Sequence, residues 1–348
     1  MLNYAIGHYS DVDGVLSHAL LERASIARRQ QTVHLTIDYK DMLAPLREID
    51  LKQAQVVRIF DLGYNQGWEN PEFVRELKRI ARSASLEIYD HHEWPDSSSV
   101  YEIGARRIVV PIRGDKLEER CTTEIISFLF APGDQTPITL SQIANNSDFM
   151  ANSLYPELSK YTRQLELVVA AANKKVTTLN SADLVHHFAT LPSDLRFART
   201  ELLKSEFFWP ESFHETRKIY NKAIQSAKQG LGEDVRVSEI QTAKRVYSIV
   251  IGFAPQILHM KGGVMHLQEI YPDHQIYACI YDEDNSIIFS SDTGEINVAQ
   301  LGKAFDGGGR ASWSGGFLPK GLTAKIGYRE TTSYYVLELI KETLTNIS

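Results

Sequence analysis

The sequence has few cysteines, no surplus of positive charge and no long apolar run. Its two cysteines, Cys121 and Cys279, are too far apart for a zinc-ligand spacing or a disulfide framework. We expect both to be buried free thiols in a reducing compartment. The chain also lacks the basic and apolar segments of a signal peptide, and no window approaches the ~18 apolar residues of a membrane span. These absences predict a cytoplasmic protein that has no membrane partner.

The charge balance limits the partners that the chain can bind. Its 348 residues carry a formal net charge of −7. Tight binding to long duplex nucleic acid depends on many lysines and arginines that neutralise phosphates, so this class of partner is not expected. A small nucleotide substrate in a locally basic pocket remains compatible with the charge. A homodimer stays an open alternative for the oligomeric state.

Apolar runs alternate with amphipathic segments over the first 150 residues. The runs at 2–8, 33–37, 56–60, 86–89 and 107–111 are typical of strands, and the segments at 14–29 and 71–83 show helical spacing. Strands that alternate with helices predict an α/β fold, in which a parallel sheet carries helices on both faces. In such sheets the ligand binds beyond the carboxyl ends of the strands.

After residue 150 the sequence pattern is first helical and then alternates between strands and helices. Residues 151–235 contain many helix formers and few breakers, which predicts a helical connector after the first domain at 1–150. The glycines within 230–234 favour a linker. Strand patterns return at 245–253, 275–281 and 286–290, and a helix is expected at 332–345. We therefore predict a smaller α+β domain over 236–348.

Four segments of the first domain carry acidic or imidazole side chains. His8 precedes the arrangement Asp11-Val12-Asp13-Gly14, in which alternate residues can direct two carboxylates at two ions. Gly14 would allow a tight turn into the helix. A helix cap is the alternative interpretation of Asp11 and its neighbours.

The other three segments complete a metal-binding pattern. Asp61 follows one strand, the triplet Asp90-His91-His92 follows the next, and Asp148 lies within 144–149. Carboxylate and imidazole donors suit divalent ions such as Mn²⁺, and a carboxylate beside a histidine can orient its ring. Each segment alone could be a turn or a polar loop. Together they predict two Mn²⁺ ions as cofactors, with other divalent ions as alternatives.

The chain resembles the DHH phosphoesterases, a family named after the triplet that stands here as Asp90-His91-His92. Asp11 and Asp13 match the first family motif, Asp61 the second, the triplet the third and Asp148 the fourth. Residues 297–311 resemble a stretch of the DHH-associated C-terminal domain that ends in a glycine-rich loop. The resemblance covers nearly the whole chain.

The resemblance implies a role for each matching residue. Asp61 would bridge two ions, and Asp90 and His92 would be catalytic, with His92 facing the phosphate. The implied metal ligands are His8, Asp11, Asp13, Asp61, His91 and Asp148. The implied substrate-binding residues are Gly307, Gly308, Gly309 and Arg310.

The resemblance also implies an activity, a Mn-dependent phosphodiesterase that hydrolyses short linear oligonucleotides or dinucleotides to mononucleotides. A pyrophosphate-type hydrolase, a cyclic-dinucleotide phosphodiesterase and a single-strand exonuclease are the alternatives on the same metal site. A nucleotide-binding module without catalysis is a further alternative.

The sequence departs from the family pattern at three places. His8 stands three residues before the first aspartate, where better-known members have four, so a structural histidine is the alternative to a metal ligand at this position. Asp306 and Arg310 stand where the family loop has glycine and histidine, and residues 288–291 lack an arginine that many relatives carry. Arginine can pair with a phosphate through two parallel hydrogen bonds, which histidine cannot.

Arg310 provides the first test of the implied substrate site. A charge-assisted pair with phosphate contributes roughly 1.5–3 kcal/mol. We expect Arg310→Ala to raise KM for a dinucleotide about 10- to 100-fold, with little change in kcat. Steady-state kinetics in Mn²⁺ measure both constants. An unchanged KM would remove Arg310 from the substrate site.

Overall fold

The computed structural model of the chain describes residues 1–37, 41–63, 68, 70–92, 102–110, 120–149, 153–193, 199–233, 235–281, 285–291, 296–309, 311–319, 321–323, 325 and 327–347. Arg310, which the sequence places in the substrate site, lies outside these residues. The chain divides into two compact units, Met1–Tyr220 and Asn221–Ser348. In the described parts of the chain, no helix combines the length and apolarity needed to cross a membrane.

The first unit is built on a five-stranded sheet in the order β2-β1-β3-β4-β5. All four strand pairs are parallel, which confirms the predicted fold class. The strands are β1 (Leu2–Gly7), β2 (Thr32–Thr36), β3 (Ala54–Phe60), β4 (Ser85–Tyr89) and β5 (Arg107–Val109). Because strands β1, β3 and β4 are neighbours, the residues that follow them meet at one edge of the sheet.

Helices cover both faces of this sheet. One face packs against α2 (Ala44–Arg47) and α3 (Pro71–Ser83), and the core there includes Val57, Ile59 and Leu77. Asn70 caps α3 by accepting the Glu72 N–H, and Pro71 occupies its first turn. The other face packs against α1 (Val12–Ala27), α4 (Thr122–Phe130) and α5 (Gln135–Phe149).

The helices of the predicted connector pack into the core of the first unit as far as Tyr220, where this unit ends. They are α6 (Ser159–Asn173), α7 (Ser181–Ala189), α8 (Arg199–Lys204) and α9 (Glu211–Glu233), whose residues after Tyr220 belong to the second unit. Leu165 of α6 and Phe188 of α7 are fully buried in the same cluster as Leu16 of α1. The predicted linker at 230–234 is wrong in its described part, because α9 continues to Glu233. Burial of Leu231 in an apolar cluster stabilises this last turn despite its two glycines.

The second unit contains a six-stranded mixed sheet in the order β10-β11-β9-β8-β7-β6, which confirms an α+β C-terminal part. Among the strand pairs that the described residues form, β7–β8 is parallel and the other four are antiparallel. The strands are β6 (Val235–Gln241), β7 (Val246–Ala254), β8 (Ile276–Tyr281), β9 (Ser286–Ser290), β10 (Gly308–Gly309) and β11 (Trp313–Phe317). The helices are α10 (His259–Ile270), α11 (Ala299–Ala304) and α12 (Arg329–Ile347).

The buried thiols give a test of both units. Cys121 and Cys279 are fully buried, and burial raises the pKa of Cys121 well above its usual value and that of Cys279 to about 12. We expect a thiol reagent at pH 8 to modify the native protein much more slowly than the unfolded chain, because a buried thiol is shielded from the reagent and stays protonated. Ellman's reagent measures this rate, and the guanidinium-unfolded chain is the control that should release two equivalents. Rapid labelling of the native protein would contradict the packing.

Candidate metal centre

The predicted site residues of the first unit lie together at the carboxyl ends of β1, β3 and β4. His8 and Asp11 follow β1, Asp61 follows β3, and the triplet beginning at Asp90 follows β4. Asp148 comes from the last turn of α5. Ligands commonly bind at this edge of an α/β sheet.

His8 faces Asp61 across the sheet edge. Its Nε2 lies 3.2 Å from Asp61 Oδ2, and its Nδ1 forms a 2.7 Å hydrogen bond with Ser10 Oγ. When Nδ1 donates to Ser10, Nε2 presents a lone pair to the space that the Asp61 carboxylate also faces. A histidine three residues before Asp11 therefore still reaches the centre.

Asp11 and Gly14 shape the turn from β1 into α1. Asp11 is the N-cap of α1, and its Oδ1 accepts the Gly14 N–H at 3.0 Å. The cap interpretation of Asp11 is thus confirmed, and Asp11 Oδ1 also lies 3.8 Å from His8 Nδ1. A Cβ atom at position 14 would collide with the carbonyl oxygen of His8 and lie 2.9 Å from His8 Nδ1. Only glycine allows the helix to approach His8 this closely.

Asp13 is held by the first residues of α4. Its Oδ1 accepts the Thr123 N–H at 2.8 Å and the Thr123 hydroxyl at 2.5 Å. Its Oδ2 accepts the Thr122 N–H at 2.9 Å. The carboxylate thus lies at the positive end of a helix, where an anion is stabilised.

Asp61 occupies the middle of the cluster in a strained backbone conformation. Its φ is 52°, in the left-handed region that residues other than glycine rarely adopt. Its N–H donates to the Tyr89 carbonyl at 3.0 Å, and its Oδ1 accepts the Thr122 hydroxyl at 3.3 Å. No described residue donates a hydrogen bond to its buried Oδ2. Strained residues are frequent at functional sites, which fits the central position of Asp61.

Asp90 organises the triplet that follows β4. Its Oδ1 accepts the N–H groups of His91 and His92 at 2.7 and 3.1 Å, and the Nδ1 of His92 at 2.7 Å. A carboxylate only accepts, so His92 Nδ1 carries a proton and Nε2 is left for another partner. The His92 ring lies against Gly63, where a Cβ would be 3.1 Å from the ring.

His91 joins Asp148 to the rest of the cluster. Its Nε2 lies 3.4 Å from Asp148 Oδ2 and 3.7 Å from Asp61 Oδ1. Like Asp61 Oδ2, the buried Asp148 Oδ2 receives no hydrogen bond from the described residues.

The side chains fall into overlapping groups with the spacing of metal ligands. Within each group, ligand atoms of all members lie within 4.8 Å of one another. One group is His8, Asp11 and Asp61, a second is Asp13, His91 and Asp148, and a third is Asp61, Asp90, His91 and His92. The candidate ligand atoms are carboxylate oxygens and imidazole nitrogens, and two of the buried carboxylate oxygens receive no hydrogen bond from the described residues. This arrangement fits a pair of divalent cations.

Burial favours the uncharged form of three side chains in the cluster, Asp61, Asp148 and His91. Burial, and then the charge of Asp13, raises the pKa of Asp61 well above its usual value. Burial and the same charge raise the pKa of Asp148. Burial lowers the pKa of His91, which favours the neutral imidazole that metals require.

His92 differs from His91. Burial alone would lower the pKa of His92, but the hydrogen bond that its ring donates to Asp90 and the nearby carboxylate charges outweigh burial and raise this pKa. A raised pKa favours a protonated ring beside the cluster.

The sequence-based interpretation missed Ser10, Thr122 and Thr123, which contact the predicted ligands. The sequence offered one signal near these threonines, the glutamate at the third position of α4. In the structure, Glu124 accepts the Cys121 N–H at 3.1 Å. This pattern marks a helix start. It does not indicate that the start of α4 meets Asp13.

The predicted substrate residues of the second unit lie at its edge strand. Gly308 and Gly309 form β10 and pair with β11, and the Gly307 N–H donates to the Gly302 carbonyl at 2.9 Å. A Cβ atom at Gly307 would collide with the Gly315 carbonyl. Close packing thus explains the glycine at 307, and substrate binding by this loop stays a prediction.

The chain is similar to several solved structures along nearly its whole length. A pGpG-specific phosphodiesterase from Vibrio cholerae superposes with a TM-score of 0.50 and 13% identity, covering 97% of this chain and 99% of that chain. RecJ from Thermus thermophilus in complex with Mn²⁺ gives a TM-score of 0.53 and 12% identity, covering 97% of this chain and 52% of that one. A second RecJ exonuclease, bound to manganese, gives 0.54 and 12%, covering 97% and 89%.

Sequence comparison alone does not find these relationships. No protein-family model matches the chain, and no curated protein matches it in sequence. At identities of 12–13% the likeness concerns the fold. The chain therefore shares its fold with a pGpG-specific phosphodiesterase and with RecJ proteins.

Proposed function

We propose that the first unit is a Mn²⁺-dependent phosphodiesterase centre that hydrolyses short linear oligonucleotides or dinucleotides to mononucleotides. The observation that carries the proposal is the position of Asp61 between two groups of ligands. One of its oxygens faces His8 at 3.2 Å, and the other faces His91 at 3.7 Å. A carboxylate placed in this way can bridge two ions.

The proposed ligand sets follow from the two groups. His8, Asp11 and Asp61 would hold one ion, and Asp13, Asp61, His91 and Asp148 would hold the other. A pair of divalent ions roughly 3.5–4 Å apart polarises a phosphoryl group and stabilises both its attacking and its leaving oxygen. Mn²⁺ is favoured because the proposed donors are carboxylates and imidazoles without a thiolate.

His92 is the proposed contact to the substrate phosphate. Asp90 fixes its Nδ1 proton and thereby the direction of the ring. The side chain is 44% exposed, so Nε2 can reach a ligand. A protonated ring donates from Nε2 to a phosphate oxygen, and it can transfer that proton to a leaving oxygen.

The shared fold supports phosphodiester chemistry as the reaction class. One similar structure is a pGpG-specific phosphodiesterase, and two are RecJ proteins with manganese. The net charge of −7 favours a short substrate over a long polyanion. A single-strand exonuclease is the second candidate, because the RecJ structures are similar over 97% of this chain.

Asp61→Asn tests the bridging role without straining the backbone, because asparagine tolerates a positive φ. The loss of a charged ligand to both ions should lower kcat/KM by about 10³-fold or more, which corresponds to several kcal/mol of electrostatic stabilisation. Hydrolysis of a 5′-phosphorylated dinucleotide in Mn²⁺, with EDTA as the metal-free reference, measures the effect.

Asp273→Asn is the matched control. Asp273 is an exposed residue of the second unit with a φ of 68°, so the same substitution changes the same charge in a similar backbone conformation. Its activity should equal that of the wild type. Wild-type activity in Asp61→Asn, or hydrolysis that persists in EDTA, would contradict a metal-dependent centre at Asp61.

The length of the substrate separates the two candidates. In a series from two to about twenty nucleotides, at fixed Mn²⁺ and salt, we expect kcat/KM to be highest for the shortest substrates. Pyrophosphate and a cyclic dinucleotide in the same assay should be hydrolysed more slowly than the linear dinucleotide. A rate that increases with length would favour the exonuclease, and preferred cleavage of pyrophosphate would favour a phosphoanhydride hydrolase.

A further inference from the structure

The start of α4 uses most of the hydrogen-bonding capacity of Asp13. A carboxylate offers about four lone-pair positions on its two oxygens. Oδ1 accepts from the Thr123 N–H and hydroxyl at 2.8 and 2.5 Å, and Oδ2 accepts from the Thr122 N–H at 2.9 Å. Donors from the described residues thus take both positions on Oδ1 and one on Oδ2. One lone pair of Oδ2 is left.

A second buried hydroxyl contacts the Thr123 hydroxyl, whose oxygen lies 3.0 Å from Ser17 Oγ on α1. The same hydroxyl lies 3.0 Å from the Asp13 carbonyl oxygen. When Thr123 donates its single hydrogen to Asp13, its oxygen accepts from Ser17. Ser17, Thr122 and Thr123 are all completely buried, so the network excludes water and keeps one orientation.

Thr122 links the same helix start to a second carboxylate. While its N–H donates to Asp13, its hydroxyl lies 3.3 Å from Asp61 Oδ1. Two adjacent threonines therefore contact aspartates that follow two different strands. The first N–H groups of a helix have no partner inside the helix, which makes them available for this purpose.

We infer that Thr122 and Thr123 are positioning residues, which make Asp13 a ligand through Oδ2 alone and fix its separation from Asp61. The inference rests on the proposed metal-dependent function and assigns these two residues a part in ion binding. The helix start holds the Asp13 carboxylate in place before an ion arrives, so binding the ion requires little further ordering. Asp61 and Asp148 each keep one buried oxygen without a described hydrogen-bond donor, which distinguishes them from Asp13.

Thr123→Val is the most direct test, because valine has the shape of threonine and removes only the hydroxyl. Removal of a group that orients a metal ligand typically weakens metal binding 10- to 100-fold. We expect the affinity for one of two Mn²⁺ ions to fall by about this factor, as measured by titration with electron paramagnetic resonance of free Mn²⁺. At saturating Mn²⁺, kcat should recover to near the wild-type value, and the KM for the dinucleotide should not change.

Three further variants make the test specific. Thr123→Ser retains the hydroxyl and should restore the affinity. Ser17→Ala removes the hydroxyl next to Thr123 but leaves the three hydrogen bonds to the Asp13 carboxylate, so its loss of Mn²⁺ affinity should be smaller than that of Thr123→Val. Thr123→Ala replaces the valine variant if thermal unfolding shows that the latter does not fold.

The outcomes distinguish this inference from the proposed function. Wild-type protein that binds two Mn²⁺ ions, together with a Thr123→Val or Thr123→Ala variant of unchanged affinity, would overturn the positioning role alone. An equal loss of affinity in Thr123→Ser would also overturn it, because the hydroxyl would then not be the cause. Wild-type protein that binds no Mn²⁺ would overturn the proposed function and this inference with it.

Discussion

Five aspartates crowd their negative charges at the edge of the first sheet, and three of them are almost completely buried. Asp13, Asp61 and Asp90 are at most 2% exposed, and Asp11 and Asp148 lie beside them. Burial and this crowding raise the pKa of Asp61 and of Asp148. Charges brought together in this way destabilise a fold unless protons, hydrogen-bond donors or cations compensate them.

The surrounding residues supply part of this compensation. The start of α4 donates to Asp13, the Gly14 N–H donates to Asp11, and the triplet's own N–H groups donate to Asp90. Asp61 and Asp148 receive fewer hydrogen bonds, since one buried oxygen of each has no hydrogen-bond donor among the described residues. The proposed pair of divalent ions would neutralise the charge where the described donors are fewest. The same geometry would then hold a phosphate ester.

Much of this arrangement is predictable because it follows from local patterns. Runs such as 56–60 predict buried parallel strands, and an aspartate after such a run predicts a side chain at the ligand-binding edge. The triplet Asp90-His91-His92 further indicates that this edge binds divalent metal ions. These local patterns predict the sheet and predict that Asp61 and His91 lie close together. In the structure, His91 Nε2 lies 3.7 Å from Asp61 Oδ1.

Other features depend on contacts between distant residues. The bond between Thr122 and Asp13 joins positions 109 residues apart, and no local pattern indicates it. The glycines at 230 and 232 predict a linker, but burial of Leu231 keeps this segment helical. The helices after residue 151 show helical spacing in the sequence, whereas their packing against α1 is a property of the folded core.

Anomalous diffraction from crystals grown with Mn²⁺ shows directly whether the carboxylate cluster is a two-metal centre. We expect two anomalous peaks roughly 3.5–4 Å apart, both in contact with Asp61. One should lie beside His8 and Asp11, and the other beside Asp13, His91 and Asp148. A data set with no peak at this cluster, or with a single ion that Asp61 does not contact, would contradict it.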